Sequence, residues 1–412
     1  MDLTETPDIA DRFARLATDH APGQENRHPV DDVARLMRGE TMAGRPVDFS
    51  HGDVDAFPPP PDAARLVGEA ITIGGAQAYT EYRGAGAIRE TLAGRLATFT
   101  GARIDPEAMI LTPGTQGALF LAVASCVGPG DAIAIADPDY FANWKIPAFL
   151  GARIMPVTLD YDAPGRSDAG LDLAGLEAAF RAGAKTFLFS NPNNPTGVTF
   201  SGAEITAIAA LANRFGVTVI CDQLYSRLQY RGTDFHHLCA EPDAPDSLVT
   251  IMGPSKTESL SGFRLGVAFG TRSLIERMEK LQAIVSLRAG GYAQRVLLSW
   301  FAEPEGWMAG RIAAHEAIRD DLVAQLRDMA GVRVRTPQAG SYLFPELPAL
   351  DTSSGDFVRL LRAQAGVIVT PGSEFSRRKT AGIRFNYSQD HAAAVAAMTR
   401  VCAMIARYRS DR

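Results

Sequence analysis

The sequence predicts an α/β fold: a large domain built on a seven-stranded, mainly parallel sheet, followed by a smaller α+β domain. Three observations carry the prediction. Between residues 109 and 270, short apolar runs of β type alternate with segments whose apolar positions recur at helical spacing, the pattern of βαβ units. The β-type runs lead, one after another, into distinctive polar residues, and in an open parallel sheet ligands gather at the carboxyl ends of the strands. Beyond residue 270 the chain turns helical and then closes with short strands and two helices, which calls for a second packing unit.

Taken in order, residues 1–45 hold two short amphipathic segments, near 9–17 and 30–38, on either side of APGQENRHP. They have too little apolar surface for a core of their own and read as an arm that packs on something else. The proline-rich stretch PVDFSHGDVDAFPPPP reads as a connection between parts. A helix is predicted over 85–98, then strand 109–111, helix 115–127 and strands 132–136 and 153–159. Helix 171–181 and strand 185–190 come next. Ser201 with Glu204 forms a capping box ahead of helix 205–215, and the apolar run 217–221 is a buried strand. Strands 248–252 and 265–269 complete the sheet, and helices follow over 274–285, 292–301 and 305–329. Strands at 332–335, 342–344, 367–369 and 383–386, with helices 356–364 and 392–407, form the closing unit. The expected division is an arm at 1–45, a large domain at 46–303 and a small domain at 304–412.

Composition narrows the function. The 412 residues are 46% hydrophobic and 21% charged, which suits a soluble globular chain with a large core. The net charge of −6 comes from 41 basic and 47 acidic residues dispersed along the chain, which argues against nucleic-acid binding and against a polybasic membrane anchor. No run approaches the roughly 18 apolar residues of a membrane span. The acidic start MDLTETPDIADRF lacks the apolar stretch of a signal peptide, so a cytoplasmic protein is expected. Cys126, Cys221, Cys239 and Cys402 lie far apart and read as free thiols. The pair His236-His237 near Cys239 lacks a third ligand at metal spacing, so no metal is expected.

The chemistry centres on SLVTIMGPSKTESLSGFRLGVAFG, in which two β-type runs flank a polar loop carrying Lys256, with Ser255, Thr257 and Ser259 beside it and Arg264 eight residues on. A lysine amine attacks an aldehyde only when desolvation or a nearby cation pulls its pKa down. Such a loop can hold a Schiff base beside an anion site, the protein-side requirement of pyridoxal phosphate chemistry. Other strand ends add to it. Gly114, Thr115 and Gln116 open a helix, where backbone N–H groups favour a phosphate or simply make an N-cap turn. Tyr140 can stack on an aromatic ring or wedge against the sheet. Asn194, in SNPNNPTG, can donate to a phenolate oxygen. Asp222 ends the most apolar strand and needs a partner there; a pyridinium nitrogen is one. Tyr225 can add a second bond to the phenolate side.

NPNNPTG, CDQLY, PSKTESLSGFRLG and GIRFNYS stand in the order and intervals of the class I and II aminotransferases. From about residue 45 to its end the chain resembles these fold-type I pyridoxal 5′-phosphate enzymes. The resemblance implies Lys256 as the Schiff-base lysine and proton shuttle, Asp222 on the pyridine nitrogen, Tyr225 and Asn194 on the ring oxygen, and Tyr140 on the ring face. Arg264 with Gly114, Thr115 and Gln116 would hold the phosphate, and Arg384 with Asn194 the substrate carboxylate. Tyr79 matches a tyrosine that reaches the partner subunit's phosphate, which implies a homodimer with shared sites. The implied reaction is transamination between an L-amino acid and a 2-oxo acid. Elimination, replacement or cyclisation on the same scaffold is the alternative, because reaction choice depends on placements the motifs leave open. A regulator built on this fold is disfavoured, since the arm is acidic and too short for a DNA-binding module.

Two departures stand out. Gly253 occupies the place of the family's phosphate-binding hydroxyl, so that either Ser255 substitutes for it or the phosphate is held with one hydroxyl fewer. The arm does not look like the family's opening, which makes His20, Glu25 and His28 candidates for a substrate lid or for a solvated loop. Arg288 can greet an acidic substrate or stay a surface charge, and Tyr342 and Phe375 suit an apolar or aromatic one.

Overall fold

The computed structural model describes residues 9–17, 29–163, 165–378 and 381–410. His20, Glu25 and His28 lie outside the described residues. Seven strands form one sheet: β1 (Met109–Pro113), β2 (Ala132–Asp137), β3 (Arg153–Thr158), β4 (Ala184–Ser190), β5 (Thr218–Asp222), β6 (Leu248–Met252) and β7 (Leu265–Gly270). Their order is β1-β7-β6-β5-β4-β2-β3, and only β7 runs antiparallel to its neighbours.

Both faces of the sheet are buried, which is why its strands read as continuous apolar runs rather than alternating ones. Ala132, Ala134 and Ala136 face one core with Phe187, Phe189, Val219 and Cys221. Ile133 and Ile135 face the other, with Leu188 and Ile220. Helices Leu173–Arg181 and Gly202–Phe215 cover the first face, and Gly114–Cys126 and Arg272–Val285 the second. The capping box of Ser201 and Glu204 forms as expected, and Glu204 also accepts the N–H groups of Gly170 and Leu171.

The closing unit has its own core. Helices Trp307–Arg327 and His391–Tyr408 pack with short strands β8 (Tyr342–Leu343), β9 (Val367–Ile368), β10 (Thr370–Pro371) and β11 (Ile383–Asn386). Strands β10, β11 and β8 form a three-stranded antiparallel sheet.

Several expectations change. The segment read as a plain connection is partly ordered wall: Val47–Asp48 pairs in parallel with β9, and Phe49 packs edge-on against Phe385 with ring centres 5.5 Å apart. Residues 332–335 form no strand, only an Arg333 to Glu346 bridge. The facing segment contains Pro345 and Pro348, which lack the N–H groups a ladder needs. Two helices had no clear signal, Asp62–Ile73 and Phe141–Phe149. The first follows a proline run, and the second carries Pro147 inside it. Helix Ile9–Ala14 of the arm lies against Phe141–Phe149, where Phe13 meets Phe149.

Candidate active site

Strands β2, β4, β5 and β6 end at one rim of the sheet, and the loops leaving it enclose a cavity of about 530 Å³. Thr115, Gln116, Tyr140, Asn194, Asp222, Tyr225, Ser255, Lys256, Arg264 and Arg384 line it. Gly114 is not among the lining residues; it opens helix Gly114–Cys126 one residue before Thr115. Tyr79 is not among the lining residues: it is 73% exposed and stacked on the Arg288 guanidinium at 4.2 Å.

Each lining group is held in a definite way. Lys256 follows β6 on a loop, and among the described residues its amine has no hydrogen-bond or ion-pair partner. Asp222 is buried and accepts the N–H of Leu224 at 3.0 Å; burial pushes its carboxyl up to about 6. Asp139, beneath Tyr140, is fully buried and pushed up to about 7 by burial. It accepts from the Ser190 hydroxyl and N–H and from Asn143, so it ties the end of β4 to the Tyr140 turn. Tyr140 donates to Gln116 at 3.0 Å.

Arg384 is 2% exposed. It donates to Asn194 Oδ1 and to the Ser50 carbonyl, each at 3.1 Å. Its guanidinium lies between the rings of Tyr342 and Phe375, at 4.3 and 4.4 Å. Its Nε is buried without a partner, a costly state that an incoming anion would relieve. Since Asn194 spends its oxygen on Arg384, its Nδ2 is the group left to donate.

The phosphate-like corner depends on missing side chains. A Cβ at Gly114 would come within 2.5 Å of the Arg264 guanidinium, and Gly114 has φ +78°, a backbone that glycine adopts freely. Arg264 itself sits at φ +53°.

Ser50, His51, Ser190 and Tyr342 also line the cavity and were not read as site residues. Ser190 sat in a quoted motif and Tyr342 was read only as a substrate neighbour. Ser50 and His51 lie in a segment without periodicity, and their place depends on Val47–Asp48 meeting β9. Of the histidine pair, His237 is spent on Gln223 at 2.9 Å.

A free amine, an unpaired buried carboxylate and an anion-ready guanidinium around one cavity are the parts of an amino-group-transferring enzyme. Residues 46–401 match the family profile described as aminotransferase class I and II, and the chain belongs to that family. A curated aspartate aminotransferase of Sulfolobus acidocaldarius is 30% identical over 350 residues, 84% of this chain and 85% of that one. An arginine–pyruvate transaminase of Pseudomonas aeruginosa is 26% identical over 377 residues, 91% of this chain and 92% of that one. Among solved structures, an aspartate aminotransferase from Rhodobacter sphaeroides 2.4.1 has a TM-score of 0.94 at 57% identity, covering 98% of this chain and 100% of that one. The fold is that of the fold-type I aminotransferases and the activity is transamination.

Proposed function

We propose that the chain binds pyridoxal 5′-phosphate in this cavity, joined to Lys256, and moves an amino group from an L-amino acid to a 2-oxo acid. The observation that carries the reading is the meeting of three incomplete groups on one cavity: the Lys256 amine, the Asp222 carboxylate and the Arg384 Nε.

Each suits one part of the chemistry. Asp222, expensive as an isolated buried anion, is relieved by a protonated ring nitrogen. Tyr225 and the Nδ2 of Asn194 suit the ring oxygen, and Tyr140 suits the ring face. Gly114, Thr115 and Gln116 offer the N-terminus of a 13-residue helix to the phosphate, together with Ser255 and Arg264. The bound group supplies an electron sink for the pair left on the substrate Cα. Lys256 Nζ takes the Cα proton and returns it on the cofactor side, while Arg384 holds the substrate carboxylate. We divide the chain as an arm at 1–45, a large domain at 46–303 and a small domain at 304–412, with 47–57 lending side chains to the smaller core.

The names of the relatives support an acidic amino acid such as aspartate as donor. We further propose a homodimer. Ile71, Ile73, Tyr79, Tyr82, Ile284, Val285, Leu287 and Tyr292 are exposed on segments tied together by Arg288 to Thr80 and Gln282 to Tyr82. So much exposed apolar surface suits a second copy of the chain. Tyr79 and Arg288 of one subunit would then complete the cavity of the other. We propose a cytoplasmic setting, supported by the dispersed charge and four unpaired thiols; no helix among the described residues is long and apolar enough to cross a membrane.

Borohydride reduction of the purified yellow protein should fix the cofactor on Lys256 in a peptide map, and aspartate with 2-oxoglutarate should give a keto acid without free ammonia. An unmodified Lys256 overturns the cofactor reading; ammonia release in place of amino transfer overturns transamination.

A further inference from the structure

Tyr342 does more than wall the cavity. Its hydroxyl lies 2.5 Å from that of Tyr225, and the rings meet edge to face with centres 5.2 Å apart. Both residues are 4% exposed and line the cavity. On the other side, strand pairing sets Asn386 opposite Tyr342 in the β8–β11 register, and since Asn386 Oδ1 already accepts the N–H of Ser388, its Nδ2 is the group left to donate.

Counting protons fixes the direction of the chain of bonds. A phenol has one proton to give. If Tyr225 gives its proton to the ring oxygen of the bound cofactor, the short contact with Tyr342 is a hydrogen bond only when Tyr342 is the donor. We infer that Tyr342 is a positioning residue that acts through Tyr225: the relay Asn386 Nδ2 to Tyr342 Oη to Tyr225 Oη aims the Tyr225 proton at the ring oxygen and strengthens it as a donor. This inference rests on the cofactor reading above.

The Arg384 and Lys256 cations lower Tyr342 against the burial that raises it, and bonds linked in series polarise one another.

The visible absorption of the holoenzyme tests this. A donor to the ring oxygen drains the charge that holds the proton on the Lys256 linkage. Weakening that donor makes the proton harder to remove. In Tyr342→Phe the midpoint of the pH-dependent change in visible absorbance should rise by about half a unit, the effect of weakening one neutral hydrogen bond felt in one protonation state. In a Tyr225→Phe background the same substitution should add nothing, because the relay is already cut. Site-specific 3-fluorotyrosine at 342, a more acidic phenol of nearly the same shape, should move the midpoint the other way and serves if the phenylalanine variant folds poorly. An unchanged midpoint with fluorotyrosine or phenylalanine overturns the inference, as does an equal shift in the Tyr225→Phe background. A wild-type protein with no titrating visible band overturns the cofactor reading as well, so the two failures are told apart.

Discussion

A Cβ placed on Gly253 would lie 2.8 Å from Cγ2 of Thr115. The methyl group of a residue on the first turn of helix Gly114–Cys126 fills the space that a side chain in the lysine loop would need. The missing hydroxyl at 253 and the presence of threonine at 115 are therefore one packing arrangement. Gly253→Ser should overpack this corner, at a cost of about 1–3 kcal/mol, and weaken pyridoxal phosphate binding roughly tenfold in a spectroscopic titration. Thr115→Ser removes the methyl group, so the double variant should recover most of the loss. A double variant as weak as Gly253→Ser would show that the methyl group is not the obstacle.

Asp222 makes apoenzyme stability depend on pH in a definite direction. Its carboxyl is raised by burial from 3.8 to about 6. A group raised on folding leaves stability intact below its unfolded pKa and takes it away as pH climbs through the folded value. Above about pH 6 the cofactor-free protein carries a buried unpaired charge costing roughly 2–3 kcal/mol. Asp222→Asn should raise the apoenzyme Tm at pH 7.5, with the gain fading to nothing below about pH 4. The same variant should bind cofactor poorly. A Tm gain independent of pH would mean that the carboxylate charge is not its cause.

Much of this site could be read in the sequence because each part sits where a short local pattern ends. Asp222 closes an apolar run, Gly114 to Gln116 open a helix, and Lys256 lies between two strands. Such features depend on neighbours a few residues away. Ser50, His51 and the role of Tyr342 depend on contacts made across hundreds of positions: Val47 meets Val367, and Tyr225 meets Tyr342. The strand expected at 332–335 failed for a related reason. Its alternating Val and Arg pattern is strand-like, but a strand also needs a partner, and prolines occupy the facing segment. Helix Phe141–Phe149 escaped notice because Pro147 reads as a breaker, although tertiary packing of Ala142, Trp144 and Ala148 holds it.

The loop bearing Lys256 is braced from helix Trp307–Arg327. Arg311 donates to the Thr257 carbonyl at 2.7 Å and to Ser259 Oγ at 2.9 Å, and it also reaches the Pro58 carbonyl. Glu258 lies between, fully buried, paired with Arg227 and pushed up to about 7 by burial. Arg311→Ala frees three carbonyl or hydroxyl acceptors and a buried guanidinium site, so it should lower Tm and reduce kcat roughly tenfold, the scale of one or two charged hydrogen bonds. Glu258→Gln, which resembles the protonated form, should leave Tm nearly unchanged below pH 7. Thermal melts of both variants at pH 6, with kcat measured alongside, decide it: a large loss in the glutamine variant would mean that the carboxylate charge carries the brace.

Arg384 is built for a planar anion, with its guanidinium between two rings and its buried Nε unpaired. Lysine cannot reproduce that fork or the stacking. Arg384→Lys should raise KM for amino acids on the order of a hundredfold, the worth of a bidentate charged pair. Half-reaction rates with an amine that lacks the carboxylate should be almost the same in wild type and variant. An equal loss with both substrates would assign Arg384 to architecture instead.

Mixing two inactive variants tests the shared cavity. Tyr79 and Arg288 sit together among exposed apolar side chains, outside the lining of the cavity of their own chain, and Arg288 has a buried Nε without a partner. If they serve the neighbouring subunit, Lys256→Ala and the double variant Tyr79→Phe with Arg288→Ala damage different halves of one site. Each homodimer should be nearly inactive toward aspartate. After reversible dissociation and random reassociation in equal amounts, half of the dimers are hybrids, and each hybrid has one intact site of two. Activity should therefore return to about one quarter of wild type. The recovered activity should also rise with the hybrid fraction seen in native mass spectrometry. Hybrids that form without any recovery would place Tyr79 and Arg288 outside the active site, and the exposed face would then serve assembly alone.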